Sequence, residues 1–552
     1  MKKDIIVKRK KRVYLTKFYG GGTMIIPRPE SATYYEETFE ISDVLTIGSQ
    51  DEEILNKAIE LINIYLPTTE VKKDDEALIS LVYDSSLPCE GYTLDTKEKI
   101  LIKYSDFLGM RNAIASLVQL MTKEKNSYTV EKCYIEDKPK FNLRSFMIDL
   151  ARGVGRKEEI KETLIRMSLM KYNRVHLHLV DSEGVAWQSQ AYPLLTGPRG
   201  DQYSMQYFKS LDKLCQSLGL EILPELEVPA HNGTILRCYP EFACEVDEKE
   251  HPSKWVLCAG NEKIFDFYTA LIKEMIEMFP SCKSIHIGGD EVDFQDIPNQ
   301  RCNWDFCPKC QALGYENMLE IHYYVVKRVY DIVKGLGKNV VMWNDWVDIS
   351  KPCPLPKDIE MHFWRVAAKT RGPYEGCSMA KFLEQGYKVV NSSFPDAYFS
   401  NKEYASSKSL SDWLPTKRPE TDEKYHDLIL GAEGCAWEFG NEERYRFYRF
   451  TLPSPMGLFA DRLWNGTYHE YDKEYEGALT KAILGIRCKP EFNIFSLLGT
   501  IMLDARTTEL GVLENITATK GELKEAIMSM IPTMVTDEYG RPHCIMLSVL
   551  TG

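Results

Sequence analysis

The chain has 552 residues and a formal net charge of −13, and 44% of its residues are hydrophobic and 27% charged. This length predicts two or three domains rather than one compact core, and the composition is ordinary for a globular protein. The negative charge disfavours a nucleic-acid partner, because such partners select surfaces rich in lysine and arginine, and the short basic cluster at residues 8–12 is more typical of a solvated arm.

Neither a membrane span nor the apolar segment of a secretory signal is recognisable in the sequence. The 15 cysteines are scattered and odd in number, which is more typical of reduced thiols than of a disulfide framework. We therefore expect a cytoplasmic protein without a membrane partner.

Residues 1–137 predict a small α+β domain. Strand-like runs at 77–83 and 100–104 accompany two amphipathic helical patterns at 53–65 and 109–121. Pro139 then marks a linker, because proline disfavours helix in the residue before it.

From Phe141 onward, strand-like runs alternate with amphipathic helices. The eight candidate strands are 145–150, 174–180, 220–228, 284–288, 339–343, 359–364, 387–391 and 428–431. The candidate helices are 157–171, 205–218, 263–279, 318–334, 379–385 and 442–463. This alternation predicts a (β/α)8 TIM barrel at 138–479, followed by a short helical C-terminal extension at 480–552. A doubly wound open sheet is the alternative, but no G-x-G-x-x-G motif follows an early strand.

Asp290 and Glu291 are adjacent carboxylates that follow a short apolar run and the pair Gly288-Gly289. In a barrel, the carboxyl ends of the strands carry the chemistry, and the glycines allow the backbone to aim both carboxylates at one ligand. The alternative is a helix N-terminus, where acidic residues are common.

Tryptophans also lie at or beyond the ends of other predicted strands, namely Trp343, Trp364 and Trp437. Aromatic faces cover the C–H surfaces of a pyranose ring while charged groups hold its hydroxyls, so the combination favours a sugar site. Each tryptophan taken alone fits a core position better than a sugar-binding position, and only their shared position at predicted strand ends favours the site. His176 and His178 alternate with apolar residues on one strand, which leaves open whether they are core histidines.

Residues 286–292, His-Ile-Gly-Gly-Asp-Glu-Val, resemble the signature of the glycoside hydrolase family 20 β-N-acetylhexosaminidases. The resemblance extends over about residues 85–465, with further matching segments at 137–152, 175–181, 222–231 and 459–464. It implies an exo-acting, retaining enzyme that removes terminal β-linked N-acetylhexosamine from an oligosaccharide or glycoconjugate. It also implies substrate-assisted catalysis, in which the sugar's own acetamido group is the nucleophile and no cofactor is required.

The resemblance implies distinct tasks for three catalytic residues. Glu291 would be the general acid that protonates the glycosidic oxygen. Asp290 would accept the acetamido N–H and stabilise an oxazolinium intermediate. Tyr398 would hydrogen-bond the acetamido carbonyl.

The resemblance also implies a set of substrate-binding residues. Arg144 corresponds to the arginine that holds ring hydroxyls, a task suited to its rigid fork of donors. The remaining positions are three tryptophans around the acetyl group and the ring, and four polar residues near them: Trp343, Trp364, Trp437, Asp181, His231, His286 and Glu438. The association state stays open, with a homodimer as one alternative.

Four positions depart from the family pattern, namely Ser182, Ala230, Ser400 and the shifted carboxylate Glu438. The last two concern the 4- and 6-hydroxyls, so they leave the choice among N-acetylglucosamine, N-acetylgalactosamine and a substituted sugar open. They also keep a second hypothesis in view, a non-catalytic N-acetylhexosamine-binding or sensing protein on the same barrel.

Cys302, Cys307 and Cys310 lie close together beyond the acid pair. With a fourth ligand from elsewhere they could hold a structural zinc, and the alternative is three reduced thiols. A metal held by His231, Asp290 and Glu291 would make the protein a metal-dependent hydrolase, but these residues lack a recognisable ligand motif.

Overall fold

The computed structural model describes residues 25–123, 127–153, 155–196, 202–246, 253–294, 297, 300–366, 378–399, 405, 407–437, 453–467, 534–536 and 542–544. The chain divides into two units, Met1–Arg487 and Cys488–Gly552. In the second unit the described residues form two antiparallel strands, Met534–Thr536 and Pro542–Cys544. The helices predicted for residues 480–552 lie outside the described residues.

The first unit begins with a small α+β domain, as predicted. Two helices, Glu52–Tyr65 and Phe107–Leu120, accompany one mixed sheet. Each helix begins after an aspartate, Asp51 or Asp106, whose side chain accepts backbone N–H groups of the first turn. The strands of the sheet are Ser31–Ser42, Val44–Ser49, Glu70–Lys73, Ile79–Tyr83, Tyr92–Asp95, Ile100–Tyr104, Met121–Lys123 and Ser127–Asp137.

A closed barrel of eight parallel strands follows, which confirms the predicted fold class. Its strands are β1 Leu143–Asp149, β2 Arg174–His178, β3 Glu221–Glu225, β4 Ser284–His286, β5 Asn339–Trp343, β6 Glu360–Phe363, β7 Val389–Asn391 and β8 Ile429–Ala436. They pair in chain order, and β8 closes the barrel by pairing with β1. Every residue of β1 and of β2 is buried, as expected for parallel strands covered by helices.

Five helices around the barrel begin and end close to their predicted bounds: Lys157–Leu169, Met205–Ser217, Lys263–Met278, Met318–Gly335 and Met379–Glu384. Three short helices were not predicted, namely Gly233–Cys238, Pro308–Gln311 and Ser407–Ser411, and Pro453–Asn465 ends close to the end predicted for the last helix. The beginning of the helix predicted at 442–463 lies outside the described residues. None of the helices in the described part of the chain combines the length and apolar composition needed to cross a membrane.

Buried histidines and carboxylates fill part of the barrel interior. His176 lies 3.0 Å from Glu433 through Nδ1 and 3.1 Å from Glu225 through Nε2. Burial opposes the charged imidazolium, but the two carboxylates raise the pKa of His176 to about 9. His176 is therefore an ion-paired core histidine, one of the two alternatives that its sequence pattern left open.

Candidate active site

Asp290 and Glu291 lie beyond the carboxyl end of β4, where a two-glycine turn brings both side chains to the barrel mouth. Gly288 and Gly289 have φ angles of +66° and +102°, which side chains other than glycine rarely adopt. A Cβ atom on Gly288 would lie 2.0 Å from Oε2 of Glu227, so the turn also has no room for a side chain. One carboxylate oxygen of Asp290 and one of Glu291 lie within 4.8 Å of each other. The structure thus brings the predicted acid pair together.

His231 connects the acid pair to the end of β2. Its Nε2 atom lies 3.6 Å from Oδ2 of Asp290 and 3.5 Å from Oε2 of Glu291. On the other side of the ring, Nδ1 lies 3.2 Å from Oδ1 of Asp181. The ring packs against Trp255 with 4.1 Å between centroids, and the His231 backbone has a φ of +56°. A non-glycine residue held in this region marks a site where the surrounding contacts fix the backbone.

Burial and charge shift the pKa values of this cluster in different directions. Burial is the main cause that raises the pKa of Asp290 to about 8; Asp345 adds to the rise and His231 opposes it. Burial also opposes ionisation of Asp181, but His231 and a neighbouring arginine hold the pKa of Asp181 well below its ordinary value. Near neutral pH the free site therefore contains an ionised Asp181 and retains a proton on Asp290.

Asp345, two residues after β5, belongs to the site although the sequence interpretation gave it no role. Its carboxylate accepts the backbone N–H of Glu291 at 3.0 Å and the indole N–H of Trp364 at 3.1 Å. The residue is 3% exposed, and burial raises the pKa of Asp345 to about 6. Asp345 thereby positions the acid pair and one aromatic wall together. Its signal in the sequence was its position two residues after Trp343, at a predicted strand end.

The three predicted tryptophans and Tyr398 form one aromatic cluster beside the acid pair. Ring centroids are 6.1 Å apart for Trp343 and Trp437, 6.2 Å for Trp364 and Tyr398, and 6.3 Å for Tyr398 and Trp437. Trp343 is buried, whereas the other three rings are half-buried and present surface at the mouth. Burial raises the pKa of Tyr398 well above its ordinary value, and the acid pair contributes to the rise. The Tyr398 hydroxyl therefore stays protonated.

His286 lies inside the barrel beneath this cluster. Its Nδ1 atom is 2.8 Å from Oε1 of Glu225, the same oxygen that accepts the indole N–H of Trp343 at 2.8 Å. Burial lowers the pKa of His286 to about 4, so the imidazole is neutral at physiological pH. His286 therefore lies in the barrel interior, where it contacts the Glu225 carboxylate that holds Trp343, and it is not exposed at the mouth.

Arg144 does not lie with the other predicted residues, and the expectation that it holds sugar hydroxyls is wrong. It is the second residue of β1 and lies at the amino end of the strand, opposite the mouth. Its guanidinium pairs with Glu90 of the N-terminal domain and donates to the carbonyls of Lys171 and Phe141, each at 2.8 Å. Arg144 therefore connects the two domains of the first unit.

Arg152 is the arginine at the barrel mouth. Its Nη2 atom lies 2.6 Å from Oδ2 of Asp181, and its Nη1 atom lies 3.0 Å from Oδ2 of Asp149. The guanidinium is 5.1 Å from the centroid of the Trp437 ring, and the side chain is 23% exposed. These contacts orient the guanidinium group of Arg152 along the aromatic cluster and leave part of the side chain accessible to a ligand.

Two further sequence expectations have different outcomes. Glu438 and Ser400, which concern the choice among sugars, lie outside the described residues. The expected cysteine group has a different membership, because the sulfur atoms that come together belong to Cys307 and Cys310 with two cysteines from an earlier loop, and Cys302 is not among them.

Family models match nearly the whole of the described first unit. The model described as "Glycosyl hydrolase family 20, catalytic domain" matches residues 141–467, and "Glycosyl hydrolase family 20, domain 2" matches residues 22–138. The chain belongs to glycosyl hydrolase family 20. The catalytic-domain match covers the whole barrel, including the turn that carries Asp290 and Glu291.

Family relatives include β-hexosaminidases from bacteria and animals. The chain is 29% identical over 364 residues to "Beta-hexosaminidase" of Porphyromonas gingivalis, covering 59% of this chain and 46% of the relative. It is 25% identical over 417 residues to "Beta-hexosaminidase" of Vibrio furnissii, covering 67% and 65%. For "Beta-hexosaminidase subunit beta" of Homo sapiens the identity is 25% over 367 residues, covering 63% and 62%. The chain thus spans about half to two thirds of the length of these curated relatives.

Solved family 20 structures share the fold. The β-N-acetylhexosaminidase of Bacteroides fragilis aligns with a TM-score of 0.70 and 24% identity, covering 83% of this chain and 95% of that chain. The exo β-N-acetylglucosaminidase of Vibrio harveyi in complex with N-acetylglucosamine aligns with a TM-score of 0.71 and 19% identity, covering 84% and 78%. These likenesses support the two-domain arrangement of the first unit.

Proposed function

We propose that this chain is an exo-acting β-N-acetylhexosaminidase that works by substrate-assisted catalysis with retention of configuration. The observation that carries the proposal is the position of Asp290 and Glu291 beside the aromatic cluster. Asp345 bonds both the Glu291 backbone and Trp364, and Trp364 packs against Tyr398. This arrangement offers a proton donor, an acceptor for an amide N–H and a hydroxyl donor for a carbonyl at one place.

In the first step, Glu291 donates its proton to the glycosidic oxygen as the bond to C1 breaks. The carbonyl oxygen of the 2-acetamido group attacks C1 from the opposite face and forms the oxazolinium ion. In the second step, Glu291 takes a proton from a water molecule that attacks C1, the ring of the intermediate opens, and the sugar is released with its original configuration.

Asp290 serves both steps as the acceptor of the acetamido N–H. Its Oδ1 atom is buried and has no hydrogen-bond partner among the described residues. Because buried polar atoms are normally hydrogen-bonded, this oxygen is suited to accept a hydrogen bond from a ligand. The free site retains a proton on this carboxyl, and an arriving N–H donor favours the ionised form. We infer that the proton leaves to solvent as substrate binds, after which the carboxylate stabilises the positive intermediate.

The neighbouring groups hold these residues in place. Asp345 accepts the Glu291 backbone N–H, and His231 contacts both carboxylates of the pair. Because these contacts exist before substrate arrives, little reorganisation is required during the reaction.

We also propose that Arg152, rather than Arg144, holds sugar hydroxyls, and matched lysine variants test this. Arg152→Lys keeps the positive charge but loses the planar guanidinium group, and with it a hydrogen bond to a sugar hydroxyl. One charge-assisted hydrogen bond of this kind contributes about 1.5–3 kcal/mol. We therefore expect kcat/KM to fall about ten- to hundred-fold with a small change in Tm. Arg144→Lys should lower the free energy of unfolding by about 1–3 kcal/mol, because buried carbonyls lose their donors, and leave KM unchanged. Initial rates and thermal unfolding of both variants check this; a raised KM only in Arg144→Lys would contradict it.

A panel of 4-nitrophenyl glycosides tests the proposed activity and the sugar preference together. We expect hydrolysis of the β-N-acetylglucosaminide, the β-N-acetylgalactosaminide or both, no hydrolysis of the β-glucoside that lacks the acetamido group, and inhibition by a cyclic thiazoline analogue of the oxazoline. Binding of N-acetylglucosamine without turnover of any of these glycosides would instead favour the sugar-binding hypothesis. The proposal includes no cofactor for the reaction. It also includes a cytosolic location, which the lack of disulfides among the described cysteines supports.

A further inference from the structure

Four buried cysteines from two different loops bring their sulfur atoms together. Cys244 and Cys258 lie in the segment after β3, and Cys307 and Cys310 lie in the segment after β4. The Sγ atoms are 3.6 Å apart for Cys258 and Cys307, 3.7 Å for Cys258 and Cys310, and 3.9 Å for Cys244 and Cys310. All four sulfur atoms lie within 4.8 Å of one another.

These separations match the edges of a zinc tetrathiolate. Zinc binds thiolate sulfur at about 2.3 Å in a tetrahedron, which places the sulfur atoms about 3.8 Å from each other. A disulfide requires sulfur atoms about 2.05 Å apart, much closer than any measured pair. Packing of four thiols as apolar side chains does not by itself require their sulfur atoms to lie at the separations of a tetrahedral site.

The backbones of the two loops approach each other closely beside the cluster. A Cβ atom on Gly260 would lie 2.2 Å from the carbonyl oxygen of Lys309, so glycine is required where the loop passes the Cys307–Cys310 turn.

We propose that Cys244, Cys258, Cys307 and Cys310 bind one structural Zn²⁺ ion that joins the loop after β3 to the loop after β4. Four protein ligands close the coordination shell, so the ion stabilises structure and has no open position for chemistry. Cys302 is excluded from this set and gives a matched control, because it is equally buried and lies in the same segment.

The two joined loops continue into the active site. Three residues before Cys258, the indole N–H of Trp255 donates to the backbone carbonyl of Glu291 at 2.8 Å, and its ring packs on His231. The indole N–H of Trp304 donates to the carbonyl of Leu257 at 2.9 Å, which holds the two loops together again beside the cluster. The proposed zinc therefore fixes the segment that supports the acid pair without contacting substrate.

Metal analysis of the untagged full chain, purified without chelator or added metal, tests this proposal. We expect about one zinc per chain, loss of that zinc in Cys258→Ala and Cys307→Ala, and full retention in Cys302→Ala. Thermal unfolding should show a larger fall in Tm for Cys258→Ala than for Cys302→Ala, because metal binding contributes to folding. The readout needs no substrate, so its failure is independent of any failure of the proposed glycosidase activity.

A second measurement covers the case in which the cluster variants do not fold. Titrating the intact chain with a mercurial reagent in the presence of a chromophoric chelator should release one zinc as four thiols react. Cobalt added to the reduced, metal-free chain should give the intense visible absorption of a tetrahedral tetrathiolate. Purified chain that holds no zinc and takes up neither zinc nor cobalt would overturn the proposal, as would iron in place of zinc or zinc that depends on Cys302.

Discussion

Glu291→Gln is expected to lower kcat/KM about 10²- to 10⁴-fold on aryl N-acetylhexosaminides with a poor leaving group. The glutamine amide has the shape of the carboxyl but cannot transfer a proton to the glycosidic oxygen. The loss should shrink when the leaving group is 2,4-dinitrophenolate, which departs without protonation. Rates measured over a series of phenols of different pKa would give a steeper dependence for the variant than for the parent chain.

Glu316→Gln is the matched control, since Glu316 is exposed and the chemical change is the same. It should leave all rates unchanged. A Glu291→Gln variant that loses equal activity on every leaving group would contradict the role of general acid, because a merely structural defect does not depend on the aglycone.

Asp290→Asn is expected to lower kcat about 10²- to 10³-fold, through loss of the charge that stabilises the intermediate. Unlike Glu291→Gln, this loss should persist with 2,4-dinitrophenyl substrates, because orientation of the acetamido group is required whatever the leaving group. The thiazoline inhibitor should bind much more weakly to Asp290→Asn than to Glu291→Gln. Equal inhibitor affinities would contradict the separate tasks of the two carboxylates.

The same Asp290→Asn variant should be more stable than the parent chain, by an amount that depends on pH. An unfolded aspartate loses its proton near pH 3.9, whereas burial keeps the proton on folded Asp290 up to about pH 8. Between these values the folded chain binds more protons than the unfolded chain, so raising the pH lowers the free energy of unfolding. Asparagine does not titrate, so the variant avoids this loss of stability. The difference in Tm between the variant and the parent chain should therefore grow from about pH 4 to pH 8 and then level off. A gain that does not change with pH would show that Asp290 is not protonated in the folded chain.

Local patterns were sufficient to predict the barrel. Buried parallel strands have short apolar runs, such as 339–343, and amphipathic helices separate them, so strand number and order follow from the sequence. The N-terminal sheet was predicted less fully, because strands such as Ser31–Ser42 and Ser127–Asp137 expose polar residues and give weaker signals.

The site was predictable where residues follow a strand end directly. Trp343 ends β5, Asp290 and Glu291 lie in the turn after β4, and the structure places all three at the barrel mouth. Arg144 was misassigned because its role was taken from the resemblance alone. The predicted strand 145–150 already placed Arg144 at the amino end of the strand and Arg152 beyond its carboxyl end, where barrel chemistry lies, and the structure confirms these positions.

The cysteine cluster depends on contacts between distant segments, which local spacing cannot supply. Cys307 and Cys310 have the short spacing of a metal-binding turn, and Cys302 lies nearer to them in sequence than their partners do. Cys244 and Cys258 come from another loop and have no such spacing between them, so their participation became visible only in the folded chain.

The measurement that tests the account most directly compares aryl glycosides whose 2-acetamido group carries zero, one, two or three fluorine atoms. Fluorine withdraws electrons from the carbonyl oxygen without a large change in size, so it weakens that oxygen as a nucleophile. If the substrate's own amide attacks C1 while Asp290 orients it, kcat/KM should fall steeply with each added fluorine. A rate that does not respond to fluorination would show that the attacking group comes from the protein or from water, and would contradict the proposed mechanism.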